Sequence, residues 1–250
     1  MKHIRHLFTA LLSLCTTVAI AHDFEVDGIC YNITGATDRT VEVTSGKYTG
    51  SVVVPESVDY DGSVYSVTAI GNKAFEYCYD LTDITIPNSI TAIREYAFND
   101  CYGLTEVNIP NSVTAIGHNA FAYCSSLTNV TIGNSVTAIG DYALAYCNSL
   151  KNVTSLIPAE NLFAIKENVF YNVDRKTCIL YVPKGARRVY ESTSGWNYFI
   201  NVIDPEEPTA ICDIPDAGTG AGTVYDLNGR AVKNPTNGIH IINGKKVMVK

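Results

Sequence analysis

The sequence predicts a repeat solenoid, in which short parallel strands stack in register and one-turn helical segments join them. Three observations carry this prediction. A 23-residue unit recurs four times between residues 67 and 153, β-rich sequence precedes the repeats, and a short β-rich segment ends the chain. A fixed period of this length is typical of solenoids, because one unit cannot bury its own apolar face and neighbouring units bury it together.

The four copies begin at Val67, Ile90, Val113 and Val136, and a cysteine marks the same place in each: Cys78, Cys101, Cys124 and Cys147. In the first copy, L-T-D-I-T-I-P has the period-2 alternation of a half-buried strand, which Pro87 ends. The apolar pair Ala74–Phe75 lies in a run too short for a full helix, and this predicts a single helical turn. The apolar positions that we expect in the core are Val67, Ile70, Ala74, Phe75, Leu81, Ile84 and Ile86.

The repeated unit V-T-x-I-G-x-x-A-F-x-x-C-x-x-L-x-x-I-x-I-P-x-S resembles the BspA-type leucine-rich repeat of bacterial surface proteins. The apolar spacing, the A-F pair, the cysteine and the I-P turn all recur together, and the chain departs from them at Arg94, Gly133 and Leu144. The resemblance implies a leucine-rich-repeat fold and a role in adhesion to host matrix proteins such as fibronectin and fibrinogen, or in co-aggregation. It assigns no functional residue to this chain.

Residues 1–21 have the organisation of a secretory signal peptide that is cut after Ala21. Lys2 and Arg5 form a basic start, Leu7–Ile20 is apolar, and the segment ends in a small-residue cleavage signal, A-I-A. The apolar run is shorter than the ~20 residues that span a bilayer. We therefore expect export of the chain and no transmembrane segment.

The chain then divides into five further parts: a β-rich N-terminal cap (22–66), four leucine-rich repeats (67–153), a degenerate repeat with a C-terminal cap (154–203), a linker (204–222) and a β module (223–250). The β module contains V-Y-D-L-N-G-R and ends in G-I-H-I-I-N-G-K-K-V-x-V-K, and it resembles the C-terminal sorting domain of type IX secretion substrates. This resemblance implies transport across an outer membrane. Together with the signal peptide, it predicts a secreted protein or one on the outer surface of a Gram-negative bacterium.

Several classes of function are disfavoured by composition. The net charge of −7 argues against nucleic-acid binding, which needs a basic surface. His22, His118 and His240 lie in three different parts of the chain, and the sequence has no metal-ligand spacing or catalytic motif. We therefore expect no metal, no cofactor and no enzymatic activity.

We interpret the cysteine column as buried free thiols, with disulfides between neighbours and metal binding as alternatives.

Two exposed faces remain as candidate binding sites. One carries outward-facing strand positions: Asp83, Thr85, Glu106, Asn108, Asn129 and Thr131. The other carries tyrosines of the turn segments, with Tyr79, Tyr102 and Tyr123 as candidates beside Tyr77, Tyr96, Tyr142 and Tyr146. Tyrosine supplies large contact area at low entropic cost. We expect a protein partner such as an extracellular matrix protein. The alternatives are a glycan stacked on the tyrosine rings, or a hydrolase or hydrolase accessory that uses Asp83 and Glu106.

Overall fold

The computed structural model describes residues 22–205, together with the backbone of 224–225, 231–232, 238–242 and 245–249. The predicted signal peptide and nearly all of the predicted linker lie outside the described residues. No helix in the described part of the chain is long and apolar enough to cross a membrane.

Strands dominate the described residues, with one short α-helix and two 3₁₀ turns. In chain order the strands are β1 (Phe24–Val26), β2 (Ile29–Gly35), β3 (Thr40–Val43), β4 (Gly50–Val53), β5 (Ser57–Tyr60), β6 (Ser63–Ile70), β7 (Leu81–Thr85), β8 (Ala92–Ile93), β9 (Glu106–Asn108), β10 (Ala115–Ile116), β11 (Asn129–Ile132), β12 (Ala138–Ile139), β13 (Asn152–Ser155), β14 (Ile179–Tyr181), β15 (Asn201–Ile203), β16 (Val224–Tyr225), β17 (Ala231–Val232), β18 (Gly238–Ile242) and β19 (Lys245–Val249). The helix α1 is Arg187–Ser192, and the 3₁₀ turns are Ala159–Asn161 and Trp196–Tyr198.

The repeats coil into a solenoid in which each copy supplies a strand to two ladders. The predicted strand of the later copies forms one ladder, where β9, β11, β13, β14 and β15 pair in parallel, and that of the first copy, β7, pairs in parallel with β4. The V-T-A-I segment, for which the sequence pattern predicts no strand, forms the other ladder through β6, β8, β10 and β12. In both ladders equivalent residues of neighbouring copies face each other, so the 23-residue period sets the register.

The third side of each coil consists of tight turns and not of the one-turn helices that the sequence predicts. Phe75 N–H donates to Ala97 O, and Phe98 N–H donates to Ala120 O, each at 2.7 Å, so the turns also stack from coil to coil. Each turn contains residues with φ near +60°, among them Tyr77 and Tyr123. A left-handed residue interrupts a helical turn, because it reverses the direction of the next peptide unit.

The core runs through the centre of the coils and joins them into one apolar cluster. All seven apolar positions predicted for the first copy are buried. Phe75, Phe98 and Phe121 stack with ring centroids 4.8 and 5.0 Å apart and with nearly parallel planes. Trp196 is fully buried beyond the last repeat, and its Nε1 donates to Phe163 O at 3.0 Å.

The N-terminal cap extends the ladders by one coil before the first repeat. Strand β3 pairs in parallel with β6, and β4 pairs in parallel with β7. The cap is completed by the antiparallel pairing of β2 with β3 and by two hairpins with short turns, β1–β2 and β5–β6. Their turns contain Asp27-Gly28 and Asp61-Gly62, all with positive φ, which confirms the two hairpin turns predicted from Asp-Gly.

A separate antiparallel sheet lies near the end of the chain, with strand order β17-β16-β18-β19. This confirms the small C-terminal β module. The resemblance of this module to a sorting domain depends on side chains that lie outside the described residues.

Candidate binding faces

The strand face, defined as Asp83, Thr85, Glu106, Asn108, Asn129 and Thr131, lies on β7, β9 and β11. The register places Glu106 beside Asn129 and Asn108 beside Thr131, so the predicted columns of polar residues are present. The first four residues of the face are exposed, and Asn129 and Thr131 are half-buried. The result is a regular polar surface made of short side chains.

Several of these side chains already have partners within the protein. Asp83 accepts a hydrogen bond from Ser51 Oγ at 3.0 Å, and Asn152 Nδ2 donates to Asn129 Oδ1 at 2.8 Å. A cavity of about 420 Å³ beside Asn134 and one of about 290 Å³ beside Tyr31 both lie elsewhere, and neither Asp83 nor Glu106 lines them. The two carboxylates are therefore part of an exposed surface and not of either cavity.

The tyrosine face, defined as the exposed and half-buried aromatic side chains of the turns, has two parts. In the first part, Tyr79 and Tyr102 stack with ring centroids 5.0 Å apart, and Tyr77 lies 6.1 Å from Tyr79. The exposed fractions of Tyr77, Tyr79 and Tyr102 are 55%, 51% and 45%. Three large rings in adjacent turns thus share one exposed patch.

A hydrogen-bond network fixes the orientation of this patch. Tyr102 Oη donates to Asp100 Oδ1 at 2.7 Å, and Asn99 Nδ2 donates to Asp100 Oδ2 at 2.6 Å. The bond to Asp100 raises the pKa of Tyr102 to about 12, so the phenol keeps its proton at physiological pH. The Tyr102 ring is held both by stacking and by its hydroxyl.

The second part of the tyrosine face is a chain of aromatic contacts along the later coils. Tyr123 and Tyr146 stack at 4.4 Å, and further contacts run from Tyr146 to Tyr171, Tyr142, His118 and Tyr96, each with centroids between 5.4 and 6.2 Å apart. Lys73 Nζ lies 5.4 Å from the centroid of Tyr96 and ends the chain with a cation–π contact.

A known repeat family accounts for most of this architecture. The BspA type leucine rich repeat region matches residues 66–192 in six copies, which is just over half of the 250-residue chain. The chain belongs to the BspA-type leucine-rich repeat family. This confirms the resemblance expected from the repeats. No curated protein matches the chain in sequence.

Solved structures of bacterial leucine-rich repeat proteins are similar to this BspA-type protein. One from Treponema pallidum is 24% identical with a TM-score of 0.50, over 64% of this chain and 80% of that one, and this likeness shows the fold. One from Bacteroides ovatus is 27% identical with a TM-score of 0.45, and it covers 66% of this chain. One from Bacteroides capillosus is 27% identical with a TM-score of 0.39, over 64% of this chain and 96% of that one. The present chain spans only 56% of the B. ovatus protein.

The cysteines of this BspA-type protein belong to its core. All six in the described residues are free and buried. Four donate to backbone carbonyls of the preceding coil: Cys78 Sγ to Gly46 O at 3.7 Å, Cys101 Sγ to Phe75 O at 3.1 Å, and Cys124 and Cys147 to Phe98 O and Phe121 O at 3.2 Å. Burial raises the pKa of Cys147 to about 12. The cysteine column therefore consists of buried free thiols that join consecutive coils, as the free-thiol interpretation predicts.

Two members of the tyrosine face, Tyr171 and His118, are not predicted from the sequence. Tyr171 lies in the degenerate repeat, outside the 23-residue period, and His118 occupies a column that otherwise holds Asn72, Glu95 and Asp141. Neither position repeats as an aromatic residue. Tyr171 directly follows Phe170, which corresponds to the phenylalanine of the A-F pair, so its position in the sequence could have indicated a place on this face. No repeated pattern indicates His118.

Proposed function

We propose that this BspA-type protein is a non-catalytic adhesion protein, secreted or displayed on the cell surface, that binds a protein partner through its tyrosine face. The observation that carries the proposal is the patch of Tyr77, Tyr79 and Tyr102, whose large rings are exposed yet fixed in orientation. Tyrosine is enriched at the energetic centres of protein interfaces.

The fixed orientation supports binding because it lowers the entropic cost of association. An exposed side chain loses about 0.5–1.5 kcal/mol of conformational freedom when a partner immobilises it. The Tyr79–Tyr102 stack and the bond from Tyr102 to Asp100 limit the rings before any partner arrives. More of the contact energy is then available for affinity.

The ring geometry favours a protein partner over a glycan. A sugar stacks its C–H face on the open face of an aromatic ring. Tyr79 and Tyr102 cover one face of each other with planes 17° apart, as do Tyr123 and Tyr146 with planes 5° apart, so each stacked pair has less open ring face for a sugar. Tyrosine rings, which combine an apolar body with a polar hydroxyl, suit the mixed apolar and hydrogen-bonding surface of a protein.

The predicted signal peptide and sorting-like C-terminus support a location outside the cell, where a matrix protein or another cell surface is within reach. The strand face remains a second candidate site. Its exposed acids Asp83 and Glu106 suit a basic partner surface, and electrostatic contacts of this kind act mainly on the association rate.

The test compares Tyr79→Ala/Tyr102→Ala with the unaltered protein for binding to immobilised fibronectin, fibrinogen and mucin, by surface plasmon resonance. Both residues lie outside the left-handed backbone positions, so their replacement leaves the turn conformations intact. We expect the double variant to lose about 2 kcal/mol or more of binding free energy, since clustered tyrosines act as hot spots.

Two control variants show whether the rings themselves are needed and whether the strand face binds instead. Tyr79→Phe/Tyr102→Phe keeps the stacked rings and should lose only a small part of the affinity. Asp83→Lys/Glu106→Lys reverses the charge of the strand face. If the alanine variant folds and binds as tightly as the unaltered protein, the tyrosine face is not the site. A loss confined to the lysine variant would assign binding to the strand face instead.

A further inference from the structure

The hairpin β1–β2 brings together three side chains of metal-ligating types that lie within nine residues of the sequence. Glu25 on β1 faces Cys30 on β2 in the antiparallel register, and His22 precedes β1. The imidazole, carboxylate and thiol ligand atoms of these residues all lie within 4.8 Å of one another. Among the described residues, this is the one place where three such groups meet so closely.

The backbone around this cluster is held firmly on both strands. Asp23 N–H donates to Tyr31 O at 2.9 Å, and Ile33 N–H donates to the Asp23 carboxylate at 2.7 Å, so the segment that carries His22 is tied to β2. Cys30 N–H donates to Tyr48 Oη at 3.1 Å, and Cys30 O accepts from Thr44 N–H at 2.9 Å. The ligand-bearing positions are therefore largely organised in advance.

Accessibility and charge both suit a cation. The Cys30 side chain is buried at the floor of the cluster, whereas His22 is half-buried and Glu25 is exposed, so an ion can enter from solvent. Within the described residues, neither lysine nor arginine pairs with Glu25. Cys30 also differs from the cysteine column, because its thiol has a hydrogen-bonding interaction with the hydroxyl of Tyr48, whereas Cys101, Cys124 and Cys147 donate to backbone carbonyls.

We propose that His22, Glu25 and Cys30 form a binding site for a thiophilic divalent cation of the Zn²⁺ class. Zinc accepts this mixture of nitrogen, oxygen and sulfur ligands, with metal–ligand distances of about 2.0–2.3 Å. Ligand atoms around one tetrahedral ion are then about 3.5 Å apart, and side-chain rotation of His22 and Glu25 closes the difference. Three protein ligands leave a fourth position for water.

Such an ion joins the segment before β1 to the buried strand β2 and so fastens the start of the N-terminal cap. This role is independent of the tyrosine face. Metal binding couples to folding here, because the unfolded chain does not hold the three ligands together.

The test uses Co²⁺ as a spectroscopic substitute for Zn²⁺ in the purified, metal-free, reduced protein. A thiolate bound to Co²⁺ gives a charge-transfer absorption in the near ultraviolet, and competition with Zn²⁺ should abolish it. We expect this absorption at one equivalent of Co²⁺, together with a higher Tm when Zn²⁺ is added. Cys30→Ser should remove the absorption, and His22→Ala or Glu25→Gln should weaken Co²⁺ binding by more than about tenfold.

Matched controls separate this site from other thiols and acids. Asp27→Asn alters an exposed acid in the same hairpin turn, and asparagine tolerates the positive φ of that position. Cys178→Ser removes a buried thiol outside the hairpin. Both variants should bind Co²⁺ as the unaltered protein does. The proposal is wrong if no charge-transfer absorption forms, or if it survives Cys30→Ser in protein whose circular dichroism is unchanged.

Discussion

At the scale of single residues, the turns of the solenoid depend on left-handed backbone positions that are held by unusual residues. Tyr77, Tyr123 and Tyr146 share one column and have φ of 62°, 62° and 60°. The same column holds Asp100 and Asn172, and Asp and Asn visit this region more readily than other side chains. Stacking of Tyr123 on Tyr146 at 4.4 Å compensates for the strain of placing a bulky residue there.

This strain leads to a prediction with two variants that both remove the ring of Tyr123. Tyr123→Asn places a residue that tolerates positive φ, whereas Tyr123→Val places a β-branched residue that does not. We expect Tyr123→Val to be less stable than Tyr123→Asn by about 1–2 kcal/mol, measured as the free energy of unfolding in urea. Equal stabilities would show that the backbone leaves the left-handed region once the ring is removed.

At the scale of elements, an ion pair connects the N-terminal cap to the second repeat and passes over the first repeat. Arg94 replaces the glycine of the repeat pattern, and its Nε lies 3.0 Å from Glu42 Oε2 on β3. The two atoms form an ion pair without the alignment of a hydrogen bond. Gly71 lies between them in the ladder, and a Cβ there would come within 2.9 Å of Glu42 Cδ and 2.6 Å of Val43 O. The departure at Arg94 thus has a structural role.

We predict that Gly71→Ala destabilises the protein by about 1–3 kcal/mol, because the added carbon displaces Glu42 and the β3 backbone.

In a double-mutant cycle, Glu42→Gln and Arg94→Gln should show a coupling energy of about 0.2–1 kcal/mol, since the pair is partly exposed. High salt should reduce this coupling. Strict additivity of the two substitutions in low-salt urea titrations would contradict the contact between cap and repeat.

At the scale of the whole molecule, one continuous core couples the stability of each coil to that of its neighbours. The buried cluster extends from Phe24 in the cap to Val202 on β15. In a solenoid each coil packs mainly against its neighbours, so both ends need a cover. Trp196 covers the last coil, where its ring packs against Phe170 and Tyr190.

We predict that Trp196→Ala lowers the free energy of unfolding by about 3–5 kcal/mol, the usual cost of deleting a large buried ring. Trp196→Phe, which keeps a ring but loses the bond to Phe163 O, should cost less than half as much. Hydrogen exchange followed by mass spectrometry should rise most in residues 165–203 and progressively less toward the cap, because the coupling is between neighbours. A uniform rise across all coils would show that the solenoid opens only as one unit.

The 23-residue period alone is enough to predict the solenoid, its parallel register and its buried positions. Each copy carries the same chemistry, so the residue beside Ile84 or Phe75 in the next coil is known without a structure. The Asp-Gly turns of the cap and the polar columns of the strand face follow from local pattern in the same way. A repeat therefore allows contacts between equivalent residues of neighbouring copies to be predicted from the sequence.

Other features exist only once the chain is folded. The V-T-A-I ladder depends on backbone pairing between strands of only two residues, which a sequence pattern does not predict. The left-handed turns replace the expected helical turns because the backbone N–H groups of each turn donate to carbonyls of the next coil. Tyr171 joins the tyrosine face from an irregular coil, and His22 meets Cys30 through the register of a hairpin. These contacts join residues that are not equivalent in the repeat, so only the path of the backbone brings them together.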